Sequence, residues 1–319
     1  MYPMKMIPAY KDYLWGGRKL NKYFNKNSVY NKTAESWELS CCDDGLSIVD
    51  NGVYQGQSLQ DILNIHRNFM GTKANNLNKF PLLIKLIDAH DKLSIQVHPS
   101  DKLADKNKGQ QGKAEMWYVL DCEKDAFLYM GFREDISKNT LKDLILSGNI
   151  CNYLNKIYVR PGDIFFIPPG TVHAIGAGIL IAEIQQNSNT TFRIFDYDRI
   201  DIHGKKRQLH IDEAVRVSDT NKYLYSGQRL IIIDKQLDYE IKNLVECKYF
   251  TALEYNVKTK IGLYSKKESF QALLFIDGNG IINCKNKNYN FQKGDCYFIP
   301  AGIEEYEILG NCRCLMSKM

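Results

Sequence analysis

Residues 162–170 read GDIFFIPPG and residues 294–302 read GDCYFIPAG, so Gly-Asp, Phe-Ile-Pro and a closing Gly recur in register 132 positions apart. A Gly-Asp turn, a short apolar run and a Pro-x-Gly turn punctuate a strand, because glycine supplies turn dihedrals that other residues avoid and proline halts a ladder. Such self-similarity at a long spacing implies that one β unit has been duplicated. The copies part at one chemically important position: His173 in the first is answered by Glu305 in the second.

The rest of the chain agrees with a β framework. Short apolar or alternating runs bounded by Gly, Asp and Asn occupy 92–98, 115–121, 163–168, 178–185, 229–234, 250–257 and 271–284, with the lengths and flanks of strands. DGNG at 277–280 predicts a hairpin turn within the last of these. Helical periodicity is confined to 58–71, where Ile62, Ile65 and Phe69 fall on one face, to 136–157, and to 210–217, where Asp212 and Glu213 favour the first turn. Sparse helices beside many strands predict a mainly β molecule with a few peripheral helices, not an α/β alternation. A length of 319 residues supports two cores, expected at 1–220 and 221–319.

Composition narrows the function. The net charge of +5 is mild and has no dense Lys/Arg run, which argues against nucleic-acid and membrane partners and points to no obligate protein partner. The N-terminal MYPMKMIPAYKDYLWGG lacks a continuous apolar core, so a cytoplasmic location is expected. Nine cysteines without a CxxC read as reduced, structural thiols.

The pattern from Gly162 to His173, namely Gly, five residues, Pro-x-Gly, two residues and His, is similar to the second motif of cupins, double-stranded β-helix (jelly-roll) barrels. The resemblance implies two cupin barrels, the second without metal ligands, and partners for His173 on an earlier hairpin. Gln96 and His98 lie two apart on an expected strand and so share a face, and Glu115 opens the next strand. Two imidazoles, a carboxylate and an amide oxygen suit a divalent metal with a position left open. His66, His90, His203 and His210 lack such company and read as surface or packing residues. His98, Glu115 and His173 alone would also suit a non-haem iron oxygenase. A non-catalytic sugar-phosphate-binding cupin is a further alternative.

FPLLIKLIDAHDKLSIQVHPSD (80–101) and GKAEMWYVLD (112–121) resemble the signature stretches of the type I mannose-6-phosphate isomerases (phosphomannose isomerases), in their short bacterial form. AESWELS (34–40) and NTTFRIFDYDR (189–199) match in the same order, and LWGGRKL (14–20) extends the likeness. That family implies one Zn²⁺ per chain on Gln96, His98, Glu115 and His173, and interconversion of D-mannose 6-phosphate and D-fructose 6-phosphate through a cis-enediol. It further implies that Ser94, Lys113, Glu183 and Arg193 belong to the active site. Their side-chain chemistry suggests Glu183 as the shuttling base, Arg193 on developing charge or phosphate, and Lys113 and Ser94 on phosphate or hydroxyls. Ser94 stands two before Gln96 and Lys113 two before Glu115, so alternation puts each on its ligand's face. Ion pairing of Glu183 with Arg193 or Lys113 is the competing structural role. Trp15 and Trp117 are candidates for the cavity rim and wall, with a place in the core the equal alternative for each, and the loop around Asp196, Asp198 and Arg199 reads as solvated. The match weakens after about residue 220.

Overall fold

The computed structural model describes residues 1–105, 110–200, 204–225, 227 and 230–319. His203 and Arg229 fall outside them. The first barrel is two facing antiparallel sheets. One runs Leu154–Tyr158, Phe127–Phe132, His173–Ile175, Ile95–Val97, Phe192–Phe195; the other runs Ile164–Ile167, Glu115–Cys122, Ile179–Gln186, Leu82–Ala89, Glu35–Leu39, Ala9–Lys11. Short helices Lys138–Leu146 and Ile211–Val217 cover the outside of the first sheet, burying Leu141, Leu144, Ala214 and Val217 against Ile95, Val97, Phe192 and Ile194.

The second barrel is one bent ten-stranded sheet. The chain's first strand, Met4–Ile7, belongs to it, pairing with Cys296–Ile299 in the register Met4 to Phe298. Its interior is filled by Leu253, Tyr255, Leu273, Phe275, Phe291, Tyr297, Ile308 and Met316 among others, with the Phe275 and Phe291 rings stacked at 3.7 Å.

The duplicated turn is the same structure twice. Gly162 and Gly294 have φ of 93° and 96°. Each donates its N–H to the crossing strand, Gly162 to Val119 O at 2.8 Å and Gly294 to Phe275 O at 2.7 Å. The following aspartates accept equivalent bonds from Arg160 N and Gln292 N. This equivalence fixes the correspondence between barrels: Glu115 pairs with Ile167 as Gln271 pairs with Ile299. The second barrel therefore has an amide where the first has its carboxylate, and Gln271 accepts a 2.6 Å bond from buried Tyr306 while Glu304, Glu305 and Glu307 face solvent.

Three sequence expectations are corrected. DGNG is not a hairpin turn: Gln271–Cys284 is one continuous strand with a bulge between Phe275 and Asp277, because the partner strand Glu304–Lys318 is long enough to pair through it. The 136–157 stretch is a helix only to Leu146, then a 3-10 turn Ile150–Tyr153 and a strand from Leu154. In 58–71 the helix is Leu59–Ile65, and it buries Leu59, Ile62 and Leu63 while Ile65 is 73% exposed.

Candidate active site and metal centre

Strand pairing assembles the site. In the first sheet Gln96 lies between two neighbours, paired with His173 on one side and Arg193 on the other. In the second sheet Trp37 pairs with Lys85, Lys85 with Glu183 and Glu183 with Trp117, one row across four strands. Gln185 pairs with Glu115 in the next row. Directly paired residues share a face, so both rows project into the barrel. Along Ile179–Gln186 the inward positions change from Ile179 and Ile181 to Glu183 and Gln185, which makes one end of the interior apolar and the other polar.

At the polar end His98, Glu115 and His173 bring their ligand atoms within 4.8 Å of one another, all buried. Nδ1 of His98 is 2.9 Å from the Thr190 carbonyl, and Nδ1 of His173 is 2.8 Å from that of Thr171. A carbonyl only accepts, so each Nδ1 carries a proton and each ring turns Nε2, the atom a metal would take, inward. Those Nε2 atoms meet the Glu115 carboxylate, His98 at 3.5 Å and His173 at 3.1 Å. Unprotonated Nε2 atoms facing carboxylate oxygens repel them unless a cation lies among them. Both Glu115 oxygens are buried without a hydrogen-bonded partner of good geometry, although Lys113 Nζ approaches one at 2.9 Å. The Gln96 amide is 3.4 Å from His173 Nε2, and a half-turn of that amide presents its oxygen there. The donor set thus fits a divalent cation.

The electrostatics agree. Burial, then the Lys113 ammonium, pushes His98 well below the usual imidazole range, so the ring is neutral. Burial alone would raise Glu115, but Lys113 and the two imidazoles outweigh it and hold the carboxyl well below its ordinary value.

Above these ligands is a cavity of about 240 Å³, lined by Tyr13, Trp15, Glu35, Lys85, Gln96, Lys113, Trp117, Glu183, Arg193 and Arg207 among others. Burial raises the Glu183 carboxyl, with Lys113 opposing and Glu115 adding to the rise. Its Oε1 accepts the Trp117 indole N–H at 2.9 Å and its Oε2 is 3.3 Å from Lys85. The ion-pair partner of Glu183 is therefore Lys85 rather than Arg193 or Lys113. Lys85 also faces Glu35 at 3.4 Å, and Glu35 accepts the Trp37 indole N–H at 2.6 Å. Ser94 is buried beside this wall, whose surface here is Leu93 and Gln96.

The sequence reasoning passed over Lys85, Glu35, Tyr13 and Arg207. Lys85 had a signal, being the one lysine in an apolar eight-residue strand, at the same parity as Ile87 and Ala89. Arg207 had none, since its place depends on Asp196. That residue is only 5% exposed and is held by Arg199 and Arg207, so the loop there is not simply solvated.

Fold and donor set define a two-barrel cupin with a candidate metal centre in the first barrel. The model of the phosphomannose isomerase type I catalytic domain matches residues 4–128, and that of the mannose-6-phosphate isomerase cupin domain matches 240–319. The chain is 36% identical to the mannose-6-phosphate isomerase ManA of Bacillus subtilis, covering 99% of each, and 34% identical to the mannose-6-phosphate isomerase of Streptococcus mutans, covering 95% of this chain and 94% of that one. The solved mannose 6-phosphate isomerase from Bacillus subtilis superposes with a TM-score of 0.93 at 32% identity over the whole of both chains. The chain belongs to the type I mannose-6-phosphate isomerase family, and it is an enzyme of that type. Among the described residues no helix is long and apolar enough to cross a membrane.

Proposed function

We propose that the chain interconverts D-mannose 6-phosphate and D-fructose 6-phosphate through a cis-enediol, with one Zn²⁺ held by Gln96, His98, Glu115 and His173. The observation that carries this reading is the buried Glu115 carboxylate facing two inward imidazole nitrogens beneath a cavity with a second, elevated carboxylate. When bound, the metal supplies positive charge that favours oxyanion character on the substrate oxygens.

Moving the carbonyl from C1 to C2 takes the proton from C2, returns one to C1, and transfers the O2 hydroxyl proton to O1. Glu183 is the group to carry the carbon proton: its raised pKa makes it a stronger base than an ordinary carboxylate, and the Trp117 indole holds Oε1 while Oε2 lacks a hydrogen-bond partner and faces Lys85 at 3.3 Å. Lys85 keeps its proton, because Glu35, Glu183 and Glu115 outweigh the effect of burial and raise its pKa, so it holds positive charge beside the enediol oxygens. Arg193 projects from the strand beside Gln96 and binds the polar end of the sugar. Trp15, Trp117 and Ile87 close the remaining wall and exclude water, which protects the enediol.

The test is a coupled assay for fructose 6-phosphate from mannose 6-phosphate, with and without chelator, beside metal analysis. Zinc-loaded protein is expected to turn over without consuming oxygen, and chelator-treated protein to lose activity until zinc is restored. His173→Ala should lose both metal and activity, while Glu305→Ala stays within about fivefold of the parent, as expected of surface substitutions. Full activity after complete metal removal would overturn the metal assignment.

A further inference from the structure

We propose that Arg207, paired with Arg193 and splinted by Asp196, receives the phosphate end of the substrate at the mouth of the cavity. The inference deepens the isomerase reading and rests on it. Among the described residues four cations line the cavity: Lys85, Lys113, Arg193 and Arg207. Two are already committed. Lys85 lies between Glu35 and Glu183 at 3.4 and 3.3 Å, and Lys113 approaches Glu115 at 2.9 Å and His98 at 3.2 Å. The two guanidiniums have partners too but keep donors free: Arg193 Nε has no hydrogen-bond partner, and Asp196 takes only Nε and Nη2 of Arg207. Arg207 keeps 25% of its side chain exposed, against 5% for each lysine, so it marks the open end.

The chemistry fixes which end of a sugar phosphate lies there. C1 and C2 must reach Glu183 and the ligand set on the floor, so the C6 phosphate of the same molecule points towards the mouth.

The segment carrying Arg207 is built against the strand carrying Arg193. His210 N–H donates to Arg193 O at 2.8 Å, Arg193 N–H donates to His210 Nδ1 at 3.1 Å, and Arg193 Nη1 donates to Gln208 O at 2.9 Å. Asp196 then takes Arg207 through two bonds, Nε at 2.8 Å and Nη2 at 2.5 Å, and Arg199 Nη2 at 2.6 Å. Arg199 also faces half-buried Asp91 at 3.6 Å. Among the described residues in these contacts, three guanidiniums face two carboxylates, and Arg193 Nε is buried without a hydrogen-bond partner. An arriving phosphate supplies acceptors to that edge and to the Nη1 end of Arg207 that Asp196 leaves free.

The experiment compares Arg207→Gln with the parent in zinc-loaded enzyme, measuring KM and kcat for mannose 6-phosphate and competitive inhibition by inorganic phosphate. Arg207→Gln should raise KM and the phosphate inhibition constant together by about tenfold or more, with kcat within about threefold and zinc content unchanged. Asp196→Asn should move both constants in the same direction by a smaller factor. Unchanged KM and phosphate inhibition in folded Arg207→Gln would overturn the inference and leave the isomerase reading standing. A parent enzyme that does not turn over mannose 6-phosphate would instead remove the reading beneath it. If the variant does not fold, arginine modification by phenylglyoxal in the parent decides: inorganic phosphate should slow modification of Arg207, and the absence of protection overturns the proposal.

Discussion

At the scale of single residues, the site is a set of buried groups whose charge states are set by one another. His98 is the clearest case, because its neutral form is imposed by burial and by Lys113, and this couples the site to pH. Its folded pKa lies below the unfolded value near 6.5, so the unfolded chain takes up a proton that the folded chain refuses as pH falls. The stability that neutral His98 contributes is present above about pH 6.5 and lost as pH drops towards its folded pKa. Metal-stripped protein should therefore lose about 1.4 kcal/mol per pH unit below pH 6.5 from this residue, a slope that His98→Gln removes. Chemical denaturation of both proteins between pH 7 and pH 5 measures it, and equal slopes would mean that His98 is charged in the folded state. The buried His98, Glu115 and His173 cluster was legible in the chain because each member sits in a short motif, but Lys113, expected on phosphate or hydroxyls, lies 2.9 Å from Glu115. Its contact with Glu115 follows from the alternation that puts both on one face, whereas its 3.2 Å approach to His98 depends on how the Ile95–Val97 strand end meets that segment, which alternation alone does not specify.

At the scale of elements, the duplicated turn shows what a motif fixes and what its surroundings add. Both copies need a left-handed glycine, at φ of 93° and 96°, followed by an aspartate that ties down the turn. A Cβ on Gly162 meets nothing within 4 Å, whereas one on Gly294 would press into the Phe24 backbone carbonyl. Gly162→Ala should thus cost about 1–2 kcal/mol, the penalty for a left-handed alanine, and Gly294→Ala clearly more. Equal losses in urea denaturation would show that the short Lys19–Phe24 helix yields without cost. The strands themselves were readable from length and alternation, as for Glu115–Cys122 and Ile179–Gln186. The DGNG error has a physical root, since the same small residues serve a tight turn or a bulge, and only the length of the partner strand decides. Likewise Met4–Ile7 gives no local sign that its partner lies near residue 298.

At the scale of the whole molecule, the barrels share a core, and the strand Ile179–Gln186 shows how. Its inward residues serve the apolar and polar ends of the first barrel, while Leu180, Ala182 and Ile184 face outward into a cluster with Leu274, Ala272, Phe298 and Leu315 of the second. Phe298 is central to the seam: its ring packs on Phe270 at 5.4 Å and on Phe80 at 6.0 Å, and Phe80 and Phe270 meet at 4.9 Å. Phe80 leads directly into Leu82–Ala89, the strand that carries Lys85, so a ring of the second barrel supports a wall of the cavity in the first. Truncating a fully buried phenylalanine costs about 3–5 kcal/mol through lost transfer free energy and the cavity left behind. Because that cavity would open between the barrels, the loss should fall on both together. Phe298→Ala is expected to shift a single calorimetric transition to lower temperature and to leave metal content unchanged in the folded protein. Two resolved transitions, with the first barrel melting where the parent does, would instead mean that the seam is dispensable and each barrel stands alone.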